Sequence, residues 1–401
     1  MQRRSEILLL FAARAARGVG DGFAAILLPA YLSYLGFTPF QIGVVATAAL
    51  LGSALLTLAI GLVAPRHELR ALLTGCAGLM VATGVAFPSV EHLVLVALVA
   101  FVGTINPTTG DIGVHVPLEQ AALAHAVADR DRTRTFARYS LIGALSIAAG
   151  ALAAGAPDLL VAAGMPRMGA FKAMFYIYAA LGLIAGVLYS FLPRATLNTT
   201  APQGQALGPS RRTVYRLAAL FSLDAFAGGF AVQSLLALWL FERFELSLAA
   251  ASGFFFWSNV LSALSYPVAA RLGTRFGLIN TMVFTHIPSS ICLLVAAFSS
   301  SLTIVLALLL LRAALSNMDV PTRTSFVMAV VTPAERTAAA SITAVPRSLA
   351  SSLSPAIAGA LLSTPLMGLP LVMCGALKIV YDVALLVAFR HVKPPEERGA
   401  P

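Results

Sequence analysis

Charged side chains set inside long apolar runs are the residues of this chain that could do chemistry. A charge at mid-membrane depth costs at least about 2.5–3.5 kcal/mol on insertion scales, so each one needs a partner or a task. In the first apolar run Arg14, Arg17 and Asp21 fall at i, i+3 and i+7, on one helical face. In the fourth, Asp111, His115 and Glu119 fall at i, i+4 and i+8, with Thr108 on the same face. The seventh carries Asp224, with no cation within a turn on its own helix. The tenth carries Arg312, Ser316, Asp319 and Arg323, a continuous stripe on an unbroken helix. Arg347 lies in the eleventh run, and Lys378 and Asp382 are four apart in the twelfth.

These residue types permit a short menu of chemistry. Arg17 and Asp21 either neutralise each other or form a substrate or proton site. Asp224 must find a cation across the bundle, with Arg312 and Arg347 as candidates, or be protonated. Asp111, His115 and Glu119 fit an inside gate facing Arg323 or Arg138, or a proton relay, because histidine titrates near neutrality. Arg312 and Arg347 also suit anion binding, since a guanidinium stays charged when buried and forks onto carboxylate or phosphate; pairing with Asp224 or Asp319 is the alternative. Lys378 and Asp382 read as a structural pair, and His286 with Pro288 as a packing and kink feature. His115 with two carboxylates has no His-rich tract around it, so no metal is expected. The form GxxxxGK[ST] does not occur, so the chain does not use ATP, and no cofactor is expected.

The elements that position these residues must lie in lipid. The chain has 401 residues, 59 % hydrophobic and 11 % charged, with mean hydropathy +0.87. A water-solvated domain needs roughly 25 % charged residues. Apolar runs fall at 7–35, 40–64, 71–88, 92–117, 136–156, 170–192, 213–241, 247–270, 278–298, 302–322, 338–362 and 367–390. In hydrocarbon each backbone amide must be satisfied within its segment, so these runs are helices, twelve spans in all. Cys76, Cys292 and Cys374 each sit in an apolar run with no CxxC spacing, which suits inert buried thiols. The formal charge of +10 resides mostly in loops, as topology determinants do, so no nucleic-acid partner is expected. With the N-terminus inside, nineteen of the 27 Lys and Arg fall in inside segments and three (Arg167, Lys172, Arg243) outside; the other five lie within spans. Both termini are therefore expected in the cytoplasm, with the chain in a bacterial inner membrane and monomeric.

Residues 193–212, rich in Pro, Gly, Thr and Ala, read as a cytoplasmic linker. It separates an N-terminal bundle of six spans (1–192) from a C-terminal one (213–392), followed by a tail (393–401). The halves echo each other. Val116-Pro117 and Arg132-Thr133 recur 204 residues later as Val320-Pro321 and Arg336-Thr337. Gly22-Phe23 recurs 207 residues later as Gly229-Phe230. A shared offset is what parallel six-helix repeats require. The strongest polar stripes fall on spans 1, 4, 7 and 10, in phase across both halves, which suits four helices lining a common wet cavity.

The six-plus-six repeat, the central linker and the polar spans 1, 4, 7 and 10 resemble the major facilitator superfamily over essentially the whole chain. Pro29 through Gly43 is similar to the segment joining spans 1 and 2 in bacterial drug-efflux members. The resemblance implies two pseudo-symmetric bundles of six that rock about a midplane site, with a small-molecule substrate. Two motifs depart from the family. In the loop motif Gly-x-x-x-Asp-Arg-x-Gly-Arg, Pro65 takes the aspartate position in Gly61–Leu69, and Thr274 takes it in Ala270–Leu278. The antiporter motif of span 5 keeps Gly143, Gly150 and Gly155 but lacks its final proline. The expected function is secondary active transport of a small organic solute by alternating access, as proton-coupled efflux. Organic-anion transport is the alternative, ahead of a lipid flippase or a polytopic membrane enzyme. Reporter fusions at Gly164 and Gly204 are expected to mark opposite compartments; the same compartment for both would sink the topology.

Overall fold

A chain that must bond its own backbone in lipid has the helix as its one economical form here. The computed structural model describes residues 2–64, 67–108, 113–127, 129–194, 207–332 and 335–391. Asp111, Pro65, Arg66, residues 195–206 and the tail from 392 lie outside the described residues, as do the side chains of Arg3, Arg4, Arg130, Arg132 and Pro321.

The first six spans are built from α1 (Gln2–Tyr34), α2 (Pro39–Val63), α3 (Leu69–Ala86), α4 (Leu93–Val102) with α5 (His115–Ala126), α6 (Asp129–Ala153) with α7 (Ala156–Ala162), and α8 (Arg167–Ser190). The last six are α9 (Arg211–Gly229) with α10 (Gln233–Phe244), α11 (Leu248–Phe276), α12 (Leu278–Phe298), α13 (Leu302–Ser316) with α14 (Asp319–Val330), α15 (Arg336–Leu362) and α16 (Leu369–Phe389). Among the described residues, eight helices are long and apolar enough to cross a membrane by length and composition alone. Spans 4 and 10 are divided into shorter helices, and spans 1 and 11 carry the polar residues that lower their hydropathy. The all-α membrane architecture expected from the twelve apolar runs is the one observed.

Local chemistry sets several boundaries. Gly36, at φ +83°, turns the chain after α1. Thr38 then caps α2 reciprocally with Gln41, and Pro39 supplies the pre-set first turn. Span 10 is interrupted at Asn317-Met318, where Met318 N bonds Leu315 O at 3.3 Å and Val320 N bonds Asn317 O at 3.3 Å. The stripe expected to run unbroken from Arg312 to Arg323 is therefore divided, with Asp319 placed in the first turn of α14. A carboxylate there complements the helix dipole.

The chain gathers into two compact units, Met1–Thr199 with Val232–Asn259, and Thr200–Ala231 with Val260–Pro401. In the first, α1 packs chiefly on α6, α3 on α8 and α2 on α4. Its core includes Leu10, Leu73, Leu123, Tyr139 and Tyr189. In the second, α9 packs on α15 and α12 on α16. Its core includes Leu217, Phe221, Met282, Phe326 and Phe389.

Small residues set the closest helix crossings, as expected where lipid offers no hydrophobic drive for association. A Cβ on Gly22 would collide with the Ile147 carbonyl of α6, and one on Gly150 with the Val19 carbonyl of α1. In the second unit a Cβ on Gly229 would lie 2.6 Å from the Ser351 carbonyl of α15. Gly22 and Gly229 are 207 residues apart, and Ile147 and Ser351 are 204 apart, so the repeat legible in the sequence is a repeat of contacts. Gly22→Leu is expected to lower stability by about 1–3 kcal/mol through overpacking. Gly75→Ala, with nothing within 4 Å of its added Cβ, should melt like the parent. Equal melting of all three proteins in detergent would refute the crossing.

Candidate functional site

Two clusters of charge are buried in the described residues, one inside each unit. In the first, Glu119 of α5 is fully buried and accepts from the Arg17 guanidinium, the Tyr139 hydroxyl and the Tyr189 hydroxyl. Arg17 Nε also donates to Tyr189 Oη at 3.1 Å. Arg14, itself buried, lies over the Tyr139 ring at 5.2 Å, a cation–π contact, and fills the space beside Gly143. The side chains converge because α1 meets α6 across glycines and α5 enters from the far side of the break in span 4.

This arrangement corrects two expected pairings. Arg17 reaches Glu119 rather than Asp21, because a long side chain can bridge to α5, where two phenols complete the carboxylate's hydrogen bonds. Arg138, one of the two gate partners expected for Glu119, is exposed. Asp21 is half-buried and lines a cavity of about 20 Å³ with Arg17, Asn106, His115 and Tyr178, space for one water. His115 is buried, with no partner for its Nε2 among the described residues. Its other expected companion, Asp111, lies outside the described residues.

In the second unit Asp224 of α9 is the hub. Lys378 Nζ of α16 lies 2.7 Å from its Oδ1, Arg323 Nη1 of α14 lies 3.4 Å from its Oδ2, and His286 Nε2 of α12 lies 3.9 Å from Oδ1. Arg323 also pairs with Asp319 one turn earlier and sits over the Phe221 ring at 5.5 Å. His286 bridges onward, with Nε2 3.2 Å from Lys378 Nζ and Nδ1 3.0 Å from Asp382 Oδ1. Asp382 is fully buried, and its Oδ2 has no partner among the described residues.

The second cluster brings together residues that the sequence reading had kept apart. Asp224 pairs with Lys378 and Arg323 rather than with Arg312 or Arg347. The turn at Asn317-Met318 divides the stripe, and Arg312 instead lies beside Cys292 and Cys374, with no partner for its Nε among the described residues. Arg347 is half-buried near Arg323, Asp224 and Asp319, with no hydrogen bond or ion pair among the described residues. Lys378 and Asp382 do not pair with each other: one reaches Asp224, the other His286. His286 is a member of the network and more than a kink residue. Sequence reasoning missed Tyr139, Tyr189, His286, Lys378 and Asp382 as cluster members. The available signal was the insertion cost itself: Lys378 and Asp382 are charges in an otherwise apolar span.

The clusters are equivalent in the repeat and opposite in sign. Arg17 and Asp224 are 207 residues apart, while Glu119 and Arg323, like His115 and Asp319, are 204 apart. Span 1 supplies the cation and span 4 the anion in the first half; span 7 supplies the anion and span 10 the cation in the second. Outside the membrane one carboxylate is also tightly held. Glu335 accepts from Gly208 N, from the Ser210 hydroxyl and from Thr332 Oγ1 at 2.7 Å, which holds its carboxyl down at about 2. It ties the start of α9 to the loop before α15.

The family model of the Major Facilitator Superfamily matches residues 10–261, more than half of the chain, and the chain belongs to that superfamily. The membrane protein YJR124C of Saccharomyces cerevisiae is 24 % identical, with 96 % of this chain and 94 % of that protein covered. Among solved structures, the nucleoside transporter NupG superposes with a TM-score of 0.77 at 15 % identity, covering 96 % of this chain and all of that one. A D-xylose–proton symporter superposes with 0.73 at 16 % identity, covering 98 % and 99 %. The human organic anion transporter MFSD10 superposes with 0.64 at 15 % identity, covering 96 % and 100 %. The chain is thus a multi-pass transporter of this fold, not an enzyme, and members of the family carry small molecules.

Glu119→Gln is expected to leave Arg17 uncompensated and to cost about 3–5 kcal/mol, as breaking a buried pair does. Adding Arg17→Gln should return more than half of that loss. Additive losses in the double variant, measured by thermal melting, would show that the two are not paired.

Proposed function

We propose that the chain is a secondary active transporter that exports a small organic solute across the cytoplasmic membrane by alternating access, driven by protons. The observation that carries this reading is the Asp224 network: three carboxylates, a lysine, an arginine and a histidine held in one hydrogen-bonded cluster inside the spans. Burying so many ionisable groups costs stability that packing alone would not require. Such a cluster is retained where protonation and ion pairing alternate. The reading also takes both termini as cytoplasmic and the working unit as a monomer, with Asp21, Asp319 and Arg323 among the residues that sense substrate or proton.

A second reading is favoured by one residue. Arg347 makes no hydrogen bond or ion pair among the described residues and lies beside Ser348 and one turn from Ser351, a setting that suits a carboxylate or phosphate group. Organic-anion transport, in either direction, follows if that residue contacts the solute.

A thermal-shift screen of organic cations, anions, nucleosides and sugars on the purified protein supplies a solute for proteoliposome transport. Asp224→Asn, which keeps the shape but leaves Lys378 uncompensated, should melt lower than the parent and, as folded protein, lose uphill transport driven by a pH gradient. Parental gradient-driven rates in Asp224→Asn, or parental transport indifferent to collapse of the gradient, would overturn the proposal.

A further inference from the structure

The first compact unit holds more than the first six spans. It also takes in Val232–Asn259, which is α10 and the first turns of α11, chain from the other half of the sequence. Within that unit three hydrogen bonds tie this segment to the first half. Ser234 N, at the start of α10, donates to Pro107 O in the break of span 4 at 3.0 Å. Ser33 Oγ of α1 donates to Glu242 Oε1 of α10 at 3.2 Å. Ala249 N of α11 donates to Asp158 Oδ2 of α7 at 2.9 Å.

The third tie differs from the others in charge and in place. The first four N–H groups of a helix have no partner in their own helix, and Ala249 is the second residue of α11. A carboxylate there bonds an orphan donor and complements the helix dipole. Asp158 is itself oriented by Arg167 at the start of α8, whose Nη2 lies 3.3 Å from Oδ1. The backbones come close at the same point: a Cβ on Gly155 would lie 3.2 Å from Ala249 Cα and 2.7 Å from Ser252 Oγ. Ser252 is buried under this contact.

We propose that Asp158 is a conformational latch, holding the ends of spans 5 and 8 together in one state of the cycle and releasing α11 in the other; this rests on the alternating-access reading above, whose topology makes this end external. The run of α11 is the reason the contact must part. That helix is continuous from Leu248 to Phe276 and crosses the boundary between the units at Asn259–Val260, with its proline, Pro267, beyond the boundary. An unbroken helix carries movement along its length, so a shift of the second unit draws the first turn of α11 off α7. Span 7 is interrupted between Gly229 and Gln233, so α10 is free of that pull. The latch is also weak enough to open. The side chains of Asp158 and Arg167 are 22 % and 43 % exposed, so water replaces their contacts at a cost of about 1 kcal/mol or less, unlike the ion pairs buried inside the spans.

The test reads exposure of the surface beneath the latch. Ser252→Cys, in purified full-length protein in detergent, is labelled with a small polar maleimide, and the rate of the parent, whose Cys76, Cys292 and Cys374 are buried, is subtracted. Adding Asp158→Ala should speed that labelling about two- to fivefold, the range a partly exposed carboxylate supplies. Met165→Cys, exposed in the loop between α7 and α8, should label at one rate with or without Asp158→Ala. An unchanged rate at Ser252→Cys overturns the proposal. An equal rise at Met165→Cys marks a loosened loop and overturns it too, as does a lower melting temperature with unchanged labelling, the sign of a static helix cap. If Ser252→Cys does not fold, Ala251→Cys, buried in the same turn, is read by the same criteria. If labelling responds to Asp158→Ala but the parent carries no solute, the latch stands and the transport reading falls. If the parent transports and labelling does not respond, the latch alone falls.

Discussion

A charge buried among lipid-facing helices must be compensated within hydrogen-bond reach, and that requirement organises this molecule. Arg17 and Glu119, and in the other half Asp224 and Arg323, each bring an ion from one span to its opposite on another. Neither partner could stay alone without several kcal/mol of uncompensated solvation cost. The rest of each unit is arranged so that the two can meet. Glycines on α1 and α6 let their backbones touch, and α9 and α15 repeat the same crossing. The interruptions in spans 4 and 10 give α5 and α14 helix starts of their own, so that Glu119 and Arg323 are aimed by short helices instead of by the long apolar segments before them.

The fold was legible because its cause is local. Twelve apolar runs and the backbone's need to bond itself in lipid leave little choice of architecture. The 204- and 207-residue offsets exposed the repeat before any contact was known. The pairings were legible only in part. Asp224 was marked by the absence of a cation on its own helix, and the structure supplies that cation from α16 and α14. The choice of Arg312 or Arg347 rested on their similar depth in spans 10 and 11, which does not say which side chains tertiary packing brings within reach. Two hydrogen-bonded turns at Asn317-Met318 separate Arg312 from Asp319, and in residues 312–323 Asn317 and Pro321 are the signals that announce them. Arg17–Asp21 failed for a different reason. Spacing on one helix shows which residues could meet, but α5, α6 and α8 offered Arg17 a carboxylate already cradled by two hydroxyls. Partners brought by tertiary packing leave no periodicity to read.

The sign reversal between the halves follows from the same constraint. Duplication of a six-helix unit copies backbone positions, and neutrality then has to be met at those positions independently in each copy. Swapping cation and anion between spans preserves the pair, whereas changing one member alone would strand a charge. Positions 17 and 224, 119 and 323 are therefore tied in twos, and Gly22 and Gly229 are held alike by the close helix crossing. Arg14 and Phe221, also 207 residues apart, diverge: one lies over an aromatic ring as a cation, the other is the ring beneath a cation.

Internal compensation also bears on what a transporter of this superfamily must do. A body that changes its surroundings during a cycle cannot carry a buried charge whose partner lies elsewhere, because parting the two would cost as much as breaking any buried pair. The hydrogen-bonded ions of the two clusters find their partners inside their own unit. Against that background the surplus in the second cluster stands out physically. Asp382 keeps one carboxylate oxygen without a partner among the described residues, next to a histidine whose Nε2 lies 3.2 Å from Lys378 Nζ. The first cluster is closed around Glu119 by two phenols. The second draws its extra members from spans 9 and 12, outside the polar stripes of spans 1, 4, 7 and 10.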